Sequence, residues 1–219
     1  MKVKALVVLG FLAVVASAPR PALAQSAQDE QSQLLVSEAK RALAQKDYER
    51  AGSLLDRALR EAPRRLDLYI LRASIHGITG NHDAAIALLE RARELAPTSS
   101  GVLAALGIQL IQTGRAPEGV PLLERIVAAE PSRYAAQVVL GHHYAKHREW
   151  SQAVKAFAAY FAHRPSALAG EDPQHRLAYA NATLRSGDPR TARTYYQKLL
   201  ASDKRNELAR LGVGWASSA

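Results

Sequence analysis

The stretch LGHHYAKHREWSQAVKAFAAYFAHRP, residues 140–165, decides the fold. It opens on Leu140-Gly141, with Tyr144 three residues on, then returns with Ala153, Phe157 and Tyr160 and stops at Pro165. Residues three and four apart share one stripe of a helix. The stretch therefore reads as two apolar-faced helices closed by a proline, which ends the second and redirects the chain. Read outward, the pattern recurs. Pro63, Pro97 and Pro131 precede Pro165 in steps of 34 residues. Ala51, Ala85 and Gly119 stand where Ala153 does, and Leu55, Leu89 and Leu123 stand where Phe157 does. Ala58, Ala92 and Ile126 match Tyr160. One period held in several columns marks a chain of stacked units. The small residue marks a helix crossing, where a larger side chain would force the helices apart.

The turn inside each unit is also legible. Gly80, Gly114 and Gly187 fall between the paired helices, where glycine can take the left-handed conformation that ends a helix. A polar residue then starts the next helix, and Asp83 is expected in that role after Gly80-Asn81-His82. Each unit reads helix, tight turn, helix, proline. The units are 32–65, 66–99, 100–133 and 134–167, with a fifth over 173–206. Its small residue, Ala192, comes 39 residues after Ala153, with Tyr196 and Leu199 at the regular offsets and Lys204 in place of the proline. Five extra residues thus enter around Ser166 to Pro173, as a hinge or docking loop or as a plain surface loop. Residues 205–219 read as a capping helix or as the start of a sixth unit, with Gly214 in the small-residue column. Leu208, Leu211 and Trp215 form a stripe expected to dock on the fifth unit.

The run Leu140-Gly141-His142-His143-Tyr144, with Ala153, Phe157 and Pro165, resembles the tetratricopeptide repeat family. Leu106-Gly107 repeats its start, and Ala39 and Ala73 are the earlier small residues. The family's tryptophan column is not kept: Tyr69 is its nearest stand-in, and Gln137 departs from it. The resemblance covers residues 32–204 and implies an all-α fold, a right-handed superhelix of helical hairpins. It also implies that the first helix of each unit lines a concave, partner-binding face. On those helices the inward residues are expected to be Val36, Lys40 and Leu43; Ile70, Ser74 and Gly77; Ala104, Ile108 and Ile111; Val138, His142 and Ala145; and Leu177, Asn181 and Leu184. The set is mostly aliphatic, which suits an amphipathic helix or an apolar extended peptide. The same residues could instead pack between units. The family's best-known groove grips a carboxylate with lysine and asparagine. Here Val36, Ile70 and Val138 stand where such a lysine belongs, and Asn181 is the only asparagine of the set.

The beginning of the chain reads as an address. Lys2 and Lys4 precede the apolar run Ala5 to Ala16, Pro19 and Pro21 follow, and Ala22-Leu23-Ala24 supplies small residues for cleavage before Gln25. That is the order of a secretory signal peptide over residues 1–24, and its apolar run is too short to span a bilayer. Residues 25–31 are expected as a disordered lead-in. The chain has no cysteine, which removes disulfides, thiolate metal sites and a lipid-modified leader. Without Lys2, Lys4 and Arg20 the chain holds 26 basic and 20 acidic residues, interspersed rather than striped. Such a surface attracts acidic partners or anionic lipid weakly, leaves peripheral membrane contact open, and does not track nucleic acid.

No catalytic constellation stands out: there is no phosphate-cradling glycine loop and no nucleophile elbow. His143 and His147 could share a metal, but no third ligand accompanies them, so no metal or cofactor is expected. The expectation is a non-catalytic adaptor of the bacterial cell envelope, most naturally periplasmic, holding a protein or peptide partner. The alternative is an accessory module for polysaccharide or lipid handling. Glycan sites favour exposed aromatic platforms, and Trp150 and Trp215 are expected at a helix junction and on the last helix, outside the groove.

Overall fold

The computed structural model describes residues 20–164 and 173–218. The reading of residues 1–24 as a leader falls largely outside them, as does all of the 166–173 insertion except Pro173. Eleven helices and no strand make up the described residues. They pair as hairpins: α1 (Arg20–Ala44) with α2 (Tyr48–Glu61), α3 (Leu66–Ile78) with α4 (His82–Leu95), and α5 (Ser100–Gln112) with α6 (Ala116–Ala129). Then come α7 (Tyr134–Lys146) with α8 (Trp150–His163), α9 (Pro173–Arg185) with α10 (Pro189–Ser202), and α11 (Glu207–Ser218). Residues 25–31, expected as a disordered lead-in, lie within helix α1. Pro21 suits a first turn, no glycine or proline follows before Gly52, and extending an existing helix costs little.

The repeated columns form the core. Leu55, Leu89, Leu123, Phe157 and Tyr196, one from each second helix, are all completely buried; Leu123 and Phe157 lie against the glycine of their hairpin partner, and Tyr196 against Gly212 of α11. Burial of each such leucine is worth about 1.5–3 kcal/mol. Ala51, Ala85, Ala153 and Ala192 are equally buried at the crossings. In the third hairpin both crossing residues are glycine, and a β-carbon on Gly119 would lie 2.7 Å from the Gly107 carbonyl oxygen. α5 and α6 thus meet backbone to backbone.

The hairpin turns share one conformation. Gly80, Gly114 and Gly187 have φ of 79°, 83° and 92°. In the other two hairpins the same position is Lys46 (φ 60°) and Arg148 (φ 62°), which sequence reading did not single out. In all five, the N–H of the next residue donates to the carbonyl five residues back, as Asn81 does to His76 and Glu149 to Tyr144. This is the Schellman closure, which satisfies carbonyls left over at a helix end. Asp83 does not cap α4: it lies in the first turn, where its charge favours the helix dipole, and Asn81 occupies the N-cap position without a side-chain cap hydrogen bond. The side-chain caps are Asp47, Asp188 and Asn206, which accept from the N–H of Arg50, Thr191 and Ala209.

Two arginines tie a unit's end to its beginning. Arg65 donates to the buried Ser32 hydroxyl at 3.2 Å, and Arg133 donates to Ser100 at 2.9 Å. Each second helix packs on the following first helix, and each first helix from α3 to α9 also touches the next first helix. Second helices do not pack on one another in this way among the described residues. The first helices therefore line the inner, concave side of the right-handed superhelix.

The last helix corrects one expectation. α11 docks through its small face, Ala209, Gly212 and Ala216, while Leu208, Leu211 and Trp215 remain exposed. The cause is Tyr196, whose ring fills the space beside α11, so that a β-carbon on Gly212 would run into it. A bulky stripe has no room there. Gly214, by contrast, meets nothing.

Candidate partner-binding groove

The residues expected on the inner face divide three ways. Val36 and Ala104 are buried, although Ala104 still forms part of a pocket wall. Leu43, Ile70, Gly77, Ile108, Ile111, Val138, Ala145, Leu177 and Leu184 are half-buried, and Lys40, Ser74, His142 and Asn181 are exposed. Several half-buried members serve packing. Ile111 lies against Gly119 of its own hairpin, and the Gln109 amide covers Gly77. Leu177 and Leu184 pack against the buried cluster around Tyr196 and Ala209.

Lys40, Leu43, Ser74 and Val138 line neither of two pockets along the inner helices, whereas Ile70, Ala104 and Ile108 line one and His142, Ala145, Asn181 and Leu184 the other. The first, of 540 Å³, runs across α3, α5 and α7 between Ile70, Ala104, Ile108 and Tyr134. Its walls are mostly apolar, and its charges are matched: Arg133 and Glu130 pair at 2.7 Å. Hydrogen bonds from Ser100 and Arg133 hold the Glu130 carboxyl below the usual range.

The second pocket, of 990 Å³, lies between α7, α9 and α11. It contains His142, Ala145, Asn181 and Leu184 from the expected set. It also contains Lys146, Arg185, Trp150 and Trp215, which were not expected there. Both tryptophans thus line one pocket, correcting their placement outside the groove. The reason is that α11 stacks as a further first helix, so Trp215 continues the column of His142 and Asn181. Extending those offsets by one unit would have found it. Asn181 is oriented by Tyr196, whose hydroxyl donates to the amide oxygen at 2.6 Å.

Behind this pocket, rings cement the α7–α10 region. Phe161 stacks on Tyr179 at 5.6 Å, Tyr179 meets Tyr195 at 4.5 Å, and Phe157 meets Tyr179 at 6.2 Å. Burial, with Tyr195 alongside, pushes the Tyr179 hydroxyl up to about 12. Tyr144 is raised further by burial and by its hydrogen bond to Glu124. His142 Nε2 lies 2.8 Å from His175 Nδ1, so one ring donates to the other and α7 is tied to α9. The rings of His143 and His147 lie 4.5 Å apart, and burial, then His147, lowers the His143 pKa. Among the described residues no three histidine, cysteine or acidic side chains gather as a metal site would require.

A solenoid of hairpins with pockets along its inner helices defines a protein-interaction scaffold. The tetratricopeptide repeat profile matches residues 6–205, and the chain belongs to that family. Repeats of this family are in general non-catalytic modules that bind protein partners. Comparison with curated proteins finds no sequence match. Solved structures show the same fold. A thermophilic tetratricopeptide repeat protein of Thermus thermophilus is 21% identical, with 86% of this chain and 100% of that one covered and a TM-score of 0.59. MamA from Desulfovibrio magneticus RS-1 is 18% identical, with 81% and 97% covered and a TM-score of 0.59. YrrB, described as having an unusual peptide-binding site, is 17% identical, with 87% and 95% covered and a TM-score of 0.56. No helix among the described residues is long and apolar enough to cross a membrane.

Proposed function

We propose that this protein is an exported adaptor of the bacterial cell envelope, holding a partner helix or extended peptide on its concave face. Export rests on the signal-peptide order of residues 1–24, with cleavage after Ala24 and a periplasmic destination. The observation that carries the binding reading is the apolar pocket of Ile70, Ala104 and Ile108, which spans three successive first helices. A pocket of that form accepts anchors spaced along a helix or strand. YrrB, a structural neighbour with a peptide-binding site, agrees with a peptide as occupant.

The test is crosslinking and co-purification of the tagged protein from envelope extract, beside an Ile108→Glu variant. A carboxylate in an apolar pocket is costly. The wild type is expected to recover a partner that the variant loses, with both giving the same helical circular dichroism. Recovery of bare monomer from both proteins counts against the reading. Polysaccharide handling is the second reading, and the two tryptophans at one pocket are the observation that favours it.

A further inference from the structure

We propose that the pocket between α7, α9 and α11 docks an acidic peptide segment carrying a large apolar side chain. This deepens the scaffold reading and rests on it. Three observations converge. The first is charge: Lys146 and Arg185 line the pocket, and no aspartate or glutamate does among the described residues. Lys146 and Arg185 are exposed, and neither forms an ion pair with a described residue. The apolar pocket at α3–α7 instead neutralises its Arg133 with Glu130.

The second is the balance of donors and acceptors. The Asn181 amide oxygen is engaged by the Tyr196 hydroxyl, so that side chain has its NH₂ to offer a ligand. Lysine, arginine and the tryptophan indoles donate only. A ligand that fits must therefore accept, as carboxylates do, and charge-assisted bonds of this kind are the strong ones.

The third is the wall. Trp150, Trp215 and Leu184 give it apolar area, and Leu208 and Leu211 continue that surface along the exposed stripe of α11. Leucines offer nothing to sugar hydroxyls but can bury an apolar side chain. A volume of 990 Å³ holds several side chains of a peptide. These features favour an acidic peptide over an anionic glycan.

Trp150 and Trp215 are the chain's two tryptophans, so the pocket reports on itself. The probe is the synthetic peptide EELFEELFEE, titrated against intrinsic fluorescence, with QQLFQQLFQQ and an oligogalacturonate as comparisons. The acidic peptide is expected to bind, its glutamine counterpart at least about tenfold more weakly, and raised salt to weaken the acidic peptide alone. The double variant Lys146→Glu/Arg185→Glu, at exposed positions, is expected to lose binding with an unchanged melting temperature. Trp215→Ala, followed by calorimetry, is expected to weaken binding.

Equal affinity for the two peptides, binding that survives charge reversal, or no binding of the acidic peptide would each overturn the proposal. Binding of the oligogalacturonate but not the peptide would overturn it in favour of a glycan. Peptide binding lost in Ile108→Glu but kept after charge reversal sinks this inference and leaves the scaffold reading standing. Charge-dependent peptide binding, with no partner recovered from the envelope, does the reverse.

Discussion

The first three hairpins and the next two follow one plan with different materials. In α1–α6 the large buried column is leucine at residues 55, 89 and 123, with Ala58, Ala92 and Ile126 beside it. In α7–α10 the same places hold Phe157 and Tyr196, with Tyr160 and Leu199. Every ring contact among the described residues falls between Tyr134 and Tyr195. The difference coincides with a change of spacing: first helices begin 34 residues apart from Leu66 to Tyr134, then 39 apart at Pro173. Where the period is strict, interlocking aliphatics suffice. Where it breaks, long flat side chains reach across the join, since aromatic pairs bury more area and gain from ring geometry.

The sharpest way to break this contrast is Phe157→Ala. It removes a fully buried ring that touches His142 and Tyr179 and lies against Gly141. The expected loss is about 3–5 kcal/mol, against about 2–5 kcal/mol for Leu89→Ala in the aliphatic half. Guanidinium unfolding followed at the tryptophans and by circular dichroism checks it. Coincident transitions for Phe157→Ala, with no earlier loss in the C-terminal half, would show that the rings do not hold that join separately.

Gly119→Ala is next, at about 1–3 kcal/mol of destabilisation, because the obstacle is backbone and cannot rotate away. Gly214→Ala is its control: nothing lies near that position, so the substitution gains up to about 1 kcal/mol of helix propensity. A loss at Gly214 would mean that α11 packs more closely than described. The smallest effects sit in the turns. Lys46→Gly in the aliphatic half and Arg148→Gly in the aromatic half are each expected to stabilise by about 1 kcal/mol, by relieving a left-handed non-glycine residue. Thermal melts compare the two, and a gain in one half only would show that the turns are not equivalent.

Much of the architecture was legible because its signals are local and periodic. The proline and alanine ladders and the turn glycines 80, 114 and 187 each have one physical reading. Lys46 and Arg148 were not legible as turn residues, since neither has a preference for positive φ. Hairpin closure imposes it on them. Leu208, Leu211 and Trp215 were read as an inward stripe because periodicity finds an apolar face but not its occupant. Tyr196 had already filled the site, which left room only for Ala209, Gly212 and Ala216. The column offsets brought His142, Asn181 and Leu184 to one pocket and Ile70, Ala104 and Ile108 to another, while Val36 went into the core. The pocket that gathers both tryptophans depended on treating α11 as one more first helix.

The contacts between neighbouring helices also set how the chain acquires its shape. Each helix packs on the one beside it or the next but one, so no contact of the array waits for distant segments to meet. Topologies of this kind fold fast, and in a solenoid structure formed at one unit spreads to its neighbours. The longer step before α9 is the one interruption to that spread. Bringing chain ends together across a few more residues costs only a fraction of a kcal/mol, and the rings on α8, α9 and α10 meet directly across the join. Propagation can thus cross the join from either side, and the two halves ripen as one cooperative body rather than as two domains in series.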